Sequence, residues 1–456
     1  MKKLLMALSF VSAVAATGAF AAYKANSVNV KAYPKSGMLI SAEEAVKLIG
    51  KKGVMFVSGD SGDNYLNKHI RGSVEMYAHH IHHSNIMGEM HCSPLYRCID
   101  DAEKYIGHNG VDNDTLVIAY DDFKGPNATG VYSFFKSIGH EKVKILMGGW
   151  KAIEALDPNA KKVKALQKQA NAAKKSVKNA EKKLGAYAKA QGRLEKAKAK
   201  GDAKKIAKYE KIVAKGDLSA AEKAKLAKAI ENAEAKRAKI LANIRKVAAV
   251  VSVPKMEKEE AKALEDKVKK EHPQGKLSIN QWAELVGSEV THHRVKESYK
   301  AEGVKEKHYR INKKKINKES IAGKAEVLHA VNDIKKRGNR SKYMIIDARG
   351  MAEIIGERKM DNVARGGHVP GATFLEWKHV SDAKRGVAFK TAAQLKEVFK
   401  KFGVTKDKTI YAYCHVGAGR SSEIITALEI MGYKNAKVYT GSWDEWGNDM
   451  MLPIKR

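Results

Sequence analysis

The chain has 456 residues, 44% hydrophobic and 30% charged, which supports two to four cored domains and excludes a disordered polymer. Its formal net charge of +34 is extreme but uneven. Residues 161–270 hold 33 Lys and Arg against 13 Asp and Glu, so a net +20 describes one module. Basic stretches without interleaved aromatics argue against nucleic-acid binding.

The chain opens with Lys2 and Lys3, an apolar stretch from Leu4 to Phe20, and the small-x-small site Ala19-Phe20-Ala21. That pattern predicts a signal peptide over residues 1–21, and an exported, periplasmic chain of about 435 residues. The apolar run is too short and interrupted to read as a membrane span. Three cysteines then face an oxidising compartment: Cys92, Cys98 and Cys414. An odd count predicts one pair and one free thiol. Cys92 and Cys98 are close enough in sequence to close a small disulfide loop, with free thiols or metal ligation as the alternatives.

Residues 38–158 form a first α/β stretch. Val54–Ser58 and Leu116–Tyr120 read as apolar strands, with His69-Ile70-Arg71-Gly72-Ser73 between them and Leu146-Met147-Gly148-Gly149-Trp150 near the end. His79, His80, His82 and His83, followed by Met87, Met90, His91 and Cys92, make an unusual run of soft ligands. Copper or zinc is chemically conceivable there, but the spacing fits no closed structural zinc pattern. The plainer reading is a solvated loop without metal.

Residues 159–272 read as a Lys/Ala-rich helical hairpin. Val163, Leu166, Ala170, Ala173, Val177, Ala180, Leu184 and Tyr187 recur at three- and four-residue spacings, as in a coiled-coil seam. A break at Lys215-Gly216-Asp217 precedes Ser219, a candidate N-cap for a second helix carrying Leu226, Ile230, Ala233, Ile240, Ile244 and Val247. The hairpin is a solvated spacer, or a docking arm for an acidic protein or an anionic membrane surface. Residues 273–325 read as a linker, with a capped helix starting at Ser278.

Residues 326–456 repeat the α/β pattern. The strand Tyr343–Asp347 leads to Ala348-Arg349; then come Gly367-His368-Val369-Pro370-Gly371-Ala372, the strand Thr409–Tyr413, and Gly441-Ser442-Trp443-Asp444-Glu445-Trp446. The fold class is therefore α/β. Two domains, each with a central parallel sheet flanked by helices, are separated by a long antiparallel helical insertion.

The strand ending at Tyr413 runs into Cys414-His415-Val416-Gly417-Ala418-Gly419-Arg420-Ser421, and a helical pattern follows. A cysteine on such a turn faces backbone N–H groups and the positive end of the helix dipole, which lowers the thiol pKa. Gly417 and Gly419 allow an anion-holding nest, and Arg420 adds a fixed charge. The first copy has Asp121-Asp122 at the matching place, and a carboxylate cannot replace a sulfur nucleophile.

Taken together, these residues resemble the rhodanese superfamily, most closely the tandem-domain thiosulfate/3-mercaptopyruvate sulfurtransferases. The resemblance spans both copies, a little over half of the mature chain, and leaves out the hairpin. It implies a persulfide on Cys414, no cofactor, a small anionic sulfur donor such as thiosulfate, and a thiol or protein acceptor. It further implies that Arg420 attracts the donor and that His415, Val416, Gly417, Ala418, Gly419 and Ser421 form the loop. Asp347, Arg349, His368 and Trp443 would be supporting residues. One departure is the Cys-x5-Arg loop, seven residues where these sulfurtransferases usually have six. That length is similar to the loop of cysteine phosphatases and arsenate reductases, which stay open as an alternative, as does a non-enzymatic sulfur carrier.

Overall fold

Short apolar runs bounded by turn residues become parallel strands in both halves of the chain. The structure, a computed structural model, describes residues 29–82, 98–122 and 124–456. The expected signal peptide, His83 and Cys92 lie outside the described residues. In the first copy the strands are β1 (Leu39–Ile40), β2 (Val54–Ser58), β3 (His69–Ile70), β4 (Val74–Glu75), β5 (Leu116–Tyr120) and β6 (Val143–Leu146). All except β3 form one parallel sheet in the order β1-β6-β5-β2-β4. Helix α1 (Pro126–Ser137) follows β5 and is buried along most of its length.

The chain leaves this body at Asp157 and returns at Ala249, whose N–H donates to the Asp157 carboxylate at 2.9 Å. Between those points lies a separate unit, Pro158–Ala248, made of α2 (Ala160–Leu184), α3 (Ala186–Ala199), α4 (Ala203–Val213) and α5 (Ala220–Val247). The side chain of Asn159 donates to Val247 O at 2.9 Å, so α2 and α5 run antiparallel. Ala170, Ala173, Ala180 and Ile240 are buried along their seam, and the small alanines allow close backbone approach. Ser219 caps α5 in a capping box with Glu222. The chain reverses at Gly201-Asp202, between α3 and α4, where Gly201 takes φ +65°. Lys215-Gly216-Asp217 is only an interruption on the returning limb.

The helical unit ends sooner than the 159–272 span expected from composition. Strand β7 (Val250–Val251) already pairs antiparallel with β3. Helices α6 (Lys258–Glu271) and α7 (Ile279–Glu302) belong to the main body, so 273–325 is not a bare linker. The Glu302 carboxylate at the end of α7 accepts from Gly72 N–H at 2.6 Å and meets His69 Nε2 at 2.9 Å. These contacts give His69 a structural role in the first copy.

The second sheet contains β8 (Ile321–Ala322), β9 (Tyr343–Asp347), β10 (Ala372–Phe374), β11 (Thr409–Tyr413) and β12 (Ala436–Tyr439). Its order, β10-β9-β11-β12-β8, repeats the first sheet strand for strand, and it begins at Ile321 rather than at 326. Helix α8 (Arg420–Ile430) takes the place that α1 has in the first copy. Among the described residues no helix is long and apolar enough to cross a membrane.

The duplication extends to single hydrogen bonds. Tyr120 and Tyr413 end β5 and β11 in register with Ser58 and Asp347. The Tyr120 hydroxyl accepts from Ile70 N–H at 3.1 Å and pairs with Ser73 Oγ at 2.7 Å. The Tyr413 hydroxyl accepts from Val369 N–H at 3.0 Å and donates to Asp347. Tyr413→Phe should cost about 1–3 kcal/mol, because it strands a buried N–H and deprives a buried carboxylate. Chemical denaturation measures this, and an unchanged midpoint would refute the assignment.

Candidate active site

Strand β11 and helix α8 hold Cys414 at the bottom of a tight turn, 2% exposed and free. Its Sγ accepts from Gly417 N–H at 3.3 Å and from the Ser421 hydroxyl at 3.5 Å. Burial alone would raise the thiol pKa. The charge of Arg420 and the hydrogen bonds from Ser421 and Gly417 outweigh it, so the pKa lies below the ordinary thiol value. Gly417 has φ +73°, and a Cβ there would come within 2.6 Å of Thr440 Cα, so only glycine suits the turn. Val416 and Ala418 are buried in the loop wall. His415 is half-buried, meets Asn362 Oδ1 at 3.1 Å, and has a pKa lowered chiefly by burial.

Two residues that the motifs did not single out complete the loop. Glu353 grips Arg420 with both carboxylate oxygens, at 2.6 and 3.1 Å. Burial pushes the Glu353 carboxyl up, but the bond to Arg420 and its charge carry it below the usual value. Ser442 is the one non-glycine residue with positive φ (51°) among the described residues. Its hydroxyl accepts from Cys414 N–H at 3.1 Å and donates to Tyr439 O at 2.8 Å. Gly149 has φ 56° in the first copy, so comparing Gly148-Gly149-Trp150 with Gly441-Ser442-Trp443 would have exposed this strained serine.

Asp347 and Arg349 lie behind the loop. Their side chains are 0% and 2% exposed and share bonds of 3.0 Å (Nε–Oδ1) and 2.7 Å (Nη2–Oδ2). Arg349 also donates to Gly367 O at 2.7 Å and sits 4.5 Å over the Trp443 ring. Burial would lower its pKa, but the bond and charge of Asp347 hold it above the ordinary value. The indole of Trp443 donates to Arg365 O, and its backbone N–H bonds Cys414 O at 3.1 Å. His368 contacts Ile354 O at 3.0 Å and packs edge-on to Phe374, outside the cysteine loop.

The first copy presses its matching turn against this loop. Asp121 stands where Cys414 stands, and its Oδ2 accepts from Gly125 N–H (2.9 Å) and Ala128 N–H (3.2 Å). Asp60 takes the place of Arg349. A Cβ on Gly130 would collide with Ala418 O, and one on Gly125 would lie 2.5 Å from Glu423 Oε2. Glu423 is fully buried, and neither of its carboxyl oxygens has hydrogen-bond geometry to a partner among the described residues. Burial, reinforced by Asp121, raises its pKa well above the carboxylate range, although the Thr129 hydroxyl acts to lower it. Asp121 is raised as well, by burial and then by Asp60.

Beside Gly419 and Arg420 opens a cavity of about 390 Å³, lined from the first copy by Asp60 and Lys124 and from the second by Arg358 and Trp377. His79 also lines it, stacked on Tyr77 with ring centroids 4.9 Å apart. Among the described residues no group of three or more His, Cys, Asp or Glu could hold a metal ion. His83 falls outside them, as does the side chain of His82. Cys98 is disulfide-bonded, while Cys92, its expected partner, lies outside the described residues.

Two variants probe this geometry. Ser442→Ala keeps the strain and loses the bond to Cys414 N–H; it should cost about 1–2 kcal/mol in denaturation and raise the thiol pKa read by alkylation rates. Unaltered alkylation would discard Ser442 as a positioning residue. Raised carboxyl pKa values in the folded state mean stability that is full in acid and lost as pH rises through those values. Thermal unfolding of the parent should therefore weaken from pH 6 to pH 9, and Glu423→Gln should flatten that decline. An equal slope in the variant would count against a protonated Glu423.

A search for related proteins matches residues 41–156 and 330–449 to the Rhodanese-like domain. Similar chains include a putative thiosulfate sulfurtransferase of Haloferax volcanii, 30% identical over 142 residues, covering 30% of this chain and 49% of that one. A sulfur carrier protein, TtuD, of Thermus thermophilus is 32% identical over 145 residues, again covering 30% and 49%. A thiosulfate sulfurtransferase of Azotobacter vinelandii is 39% identical over 115 residues, covering 24% and 39%. The chain thus spans about half, or less, of the length of these relatives. Among solved structures, an EanB variant with a cysteine persulfide in a tetrahedral intermediate state with ergothioneine aligns at TM-score 0.50 and 15% identity, over 93% of this chain and 71% of that one. At that identity the likeness concerns the fold alone.

Proposed function

Since the chain belongs to the rhodanese-like domain family, we propose that it is an exported sulfurtransferase that carries sulfane sulfur on Cys414. The observation that carries this reading is the free Cys414 sulfur, whose pKa is lowered by Arg420, Ser421 and Gly417 in a turn at the start of α8. The thiolate attacks the outer sulfur of thiosulfate. The S–S bond breaks, sulfite leaves with its electron pair, and a Cys414 persulfide remains. A nucleophilic acceptor, cyanide or a thiolate, then attacks the outer sulfur and returns the Cys414 thiolate. Loop N–H groups hold the persulfide anion as they hold the thiolate, with no metal.

The grip of Glu353 on Arg420 bears on the phosphatase alternative. A Cys-x5-Arg phosphatase uses its arginine fork on two oxyanion oxygens, whereas here both guanidinium nitrogens of that fork are bonded to a carboxylate. The same grip leaves the exposed Arg358 in the cavity wall as the charge that draws an anionic donor toward the loop. Arg349, held by Asp347 and stacked on Trp443, serves as scaffold.

Intact mass after incubating the reduced protein with thiosulfate should show a gain of one sulfur atom, absent in Cys414→Ser. Turnover of p-nitrophenyl phosphate without that gain would reverse the proposal. A persulfide that no small acceptor discharges would instead make the protein a carrier. Arg358→Gln should raise KM for thiosulfate about fivefold at low salt and leave kcat unchanged, which corresponds to about 1 kcal/mol for one exposed charge. An unchanged KM would remove Arg358 from donor capture.

A further inference from the structure

The charge excess of the helical unit is arranged, not only abundant. Between residues 158 and 248 the chain has 27 Lys and Arg against 8 Asp and Glu. In α2, Lys161, Lys164, Lys168, Lys175, Lys178 and Lys182 are all exposed and fall within one band about 100° wide at 3.6 residues per turn. The band lies opposite the buried seam of Ala170, Ala173 and Ala180. It runs for about 32 Å at 1.5 Å per residue. Glu181, the sole acid of α2, falls beside the seam and outside the band, so no carboxylate of α2 interrupts the line. Packing against α5 demands only the seam; nothing in the hairpin's stability requires six cations in a row.

We propose that this face of α2 docks the protein on an anionic phospholipid surface. Protein interfaces centre on buried aromatic and arginine anchors and are poor in lysine, and the band offers no aromatic and no arginine. A straight row of ammonium groups on a rigid helix touches a flat bilayer along its whole length. It meets a curved nucleic-acid duplex over only a short arc. Flexible lysines, each attracted to acidic headgroups within a Debye length, provide delocalised adsorption without insertion. Ile212, 39% exposed, is the one large hydrophobic side chain of the unit exposed to that extent, which also favours adsorption over burial in the acyl layer. This surface does not depend on the chemistry at Cys414.

The test is cosedimentation of the full chain with vesicles of phosphatidylglycerol and phosphatidylcholine, or of phosphatidylcholine alone. Binding to the anionic vesicles at low salt, reversal in 0.5 M salt and none to neutral vesicles are expected. Replacing the six lysines by glutamine should weaken vesicle binding at least tenfold with thiosulfate turnover unchanged, and replacing them by arginine should preserve binding. Equal binding to neutral vesicles, undiminished binding of the glutamine variant, or stronger binding to duplex DNA or polyglutamate than to the vesicles would overturn the proposal.

Discussion

A negative charge on a sulfur that is 2% exposed cannot be stabilised by water, so the protein itself has to balance it. The site follows from that constraint. Loop N–H groups and the Ser421 hydroxyl converge on Sγ, which requires a turn tight enough to need glycine at 417. Arg420 supplies the positive charge, and a partly exposed guanidinium left alone would swing toward solvent. Glu353 holds it in place and keeps the local charge near balance. Ser442 fixes the Cys414 backbone from below at the expense of a left-handed backbone conformation. Asp347 and Arg349 close the arrangement from behind, joining β9, β11 and the Gly367 turn through one buried ion pair.

The first copy acts as an abutment. It keeps the sheet order and the hydroxyl of Tyr120, yet it has Asp121 where the second copy has Cys414 and Asp60 where that copy has Arg349. Its turn then presents a helix start whose glycines admit Ala418 O and the Glu423 carboxyl at close range. A charged carboxylate at that contact would be costly: burial, reinforced by Asp121 at Glu423 and by Asp60 at Asp121, pushes both toward the neutral form. The Cys414 loop is therefore braced by a copy of the same turn that carries an aspartate in place of the cysteine.

Much of this was legible in the residue order. The strands follow from continuous apolar runs bounded by turns, as expected where both faces of a parallel sheet are covered, and the seam of α2 from apolar residues three and four apart. The place of Cys414 between a strand and a helix was equally plain. Glu353 was not, because an acid on a four-residue helix has no distinctive pattern until folding sets it beside Arg420. Nor was Glu423, whose burial against Gly125 arises only when α8 meets the first copy. The boundaries of the helical unit escaped for a related reason: α6 has the composition of the hairpin but packs with α7 in the main body.

Sequence by itself determined the place of Cys414, the glycine turn that carries it, the two parallel sheets and the basic face of α2, because each depends on neighbours within one turn or one strand. Tertiary structure alone decided which charge faces which. The pairing of Arg420 with Glu353, the burial of Glu423 against Gly125 and the seating of Ala418 under Gly130 join residues 67 to 298 positions apart. No local rule relates residues at such separations, and the dielectric that sets their protonation exists only once the two copies have closed on each other.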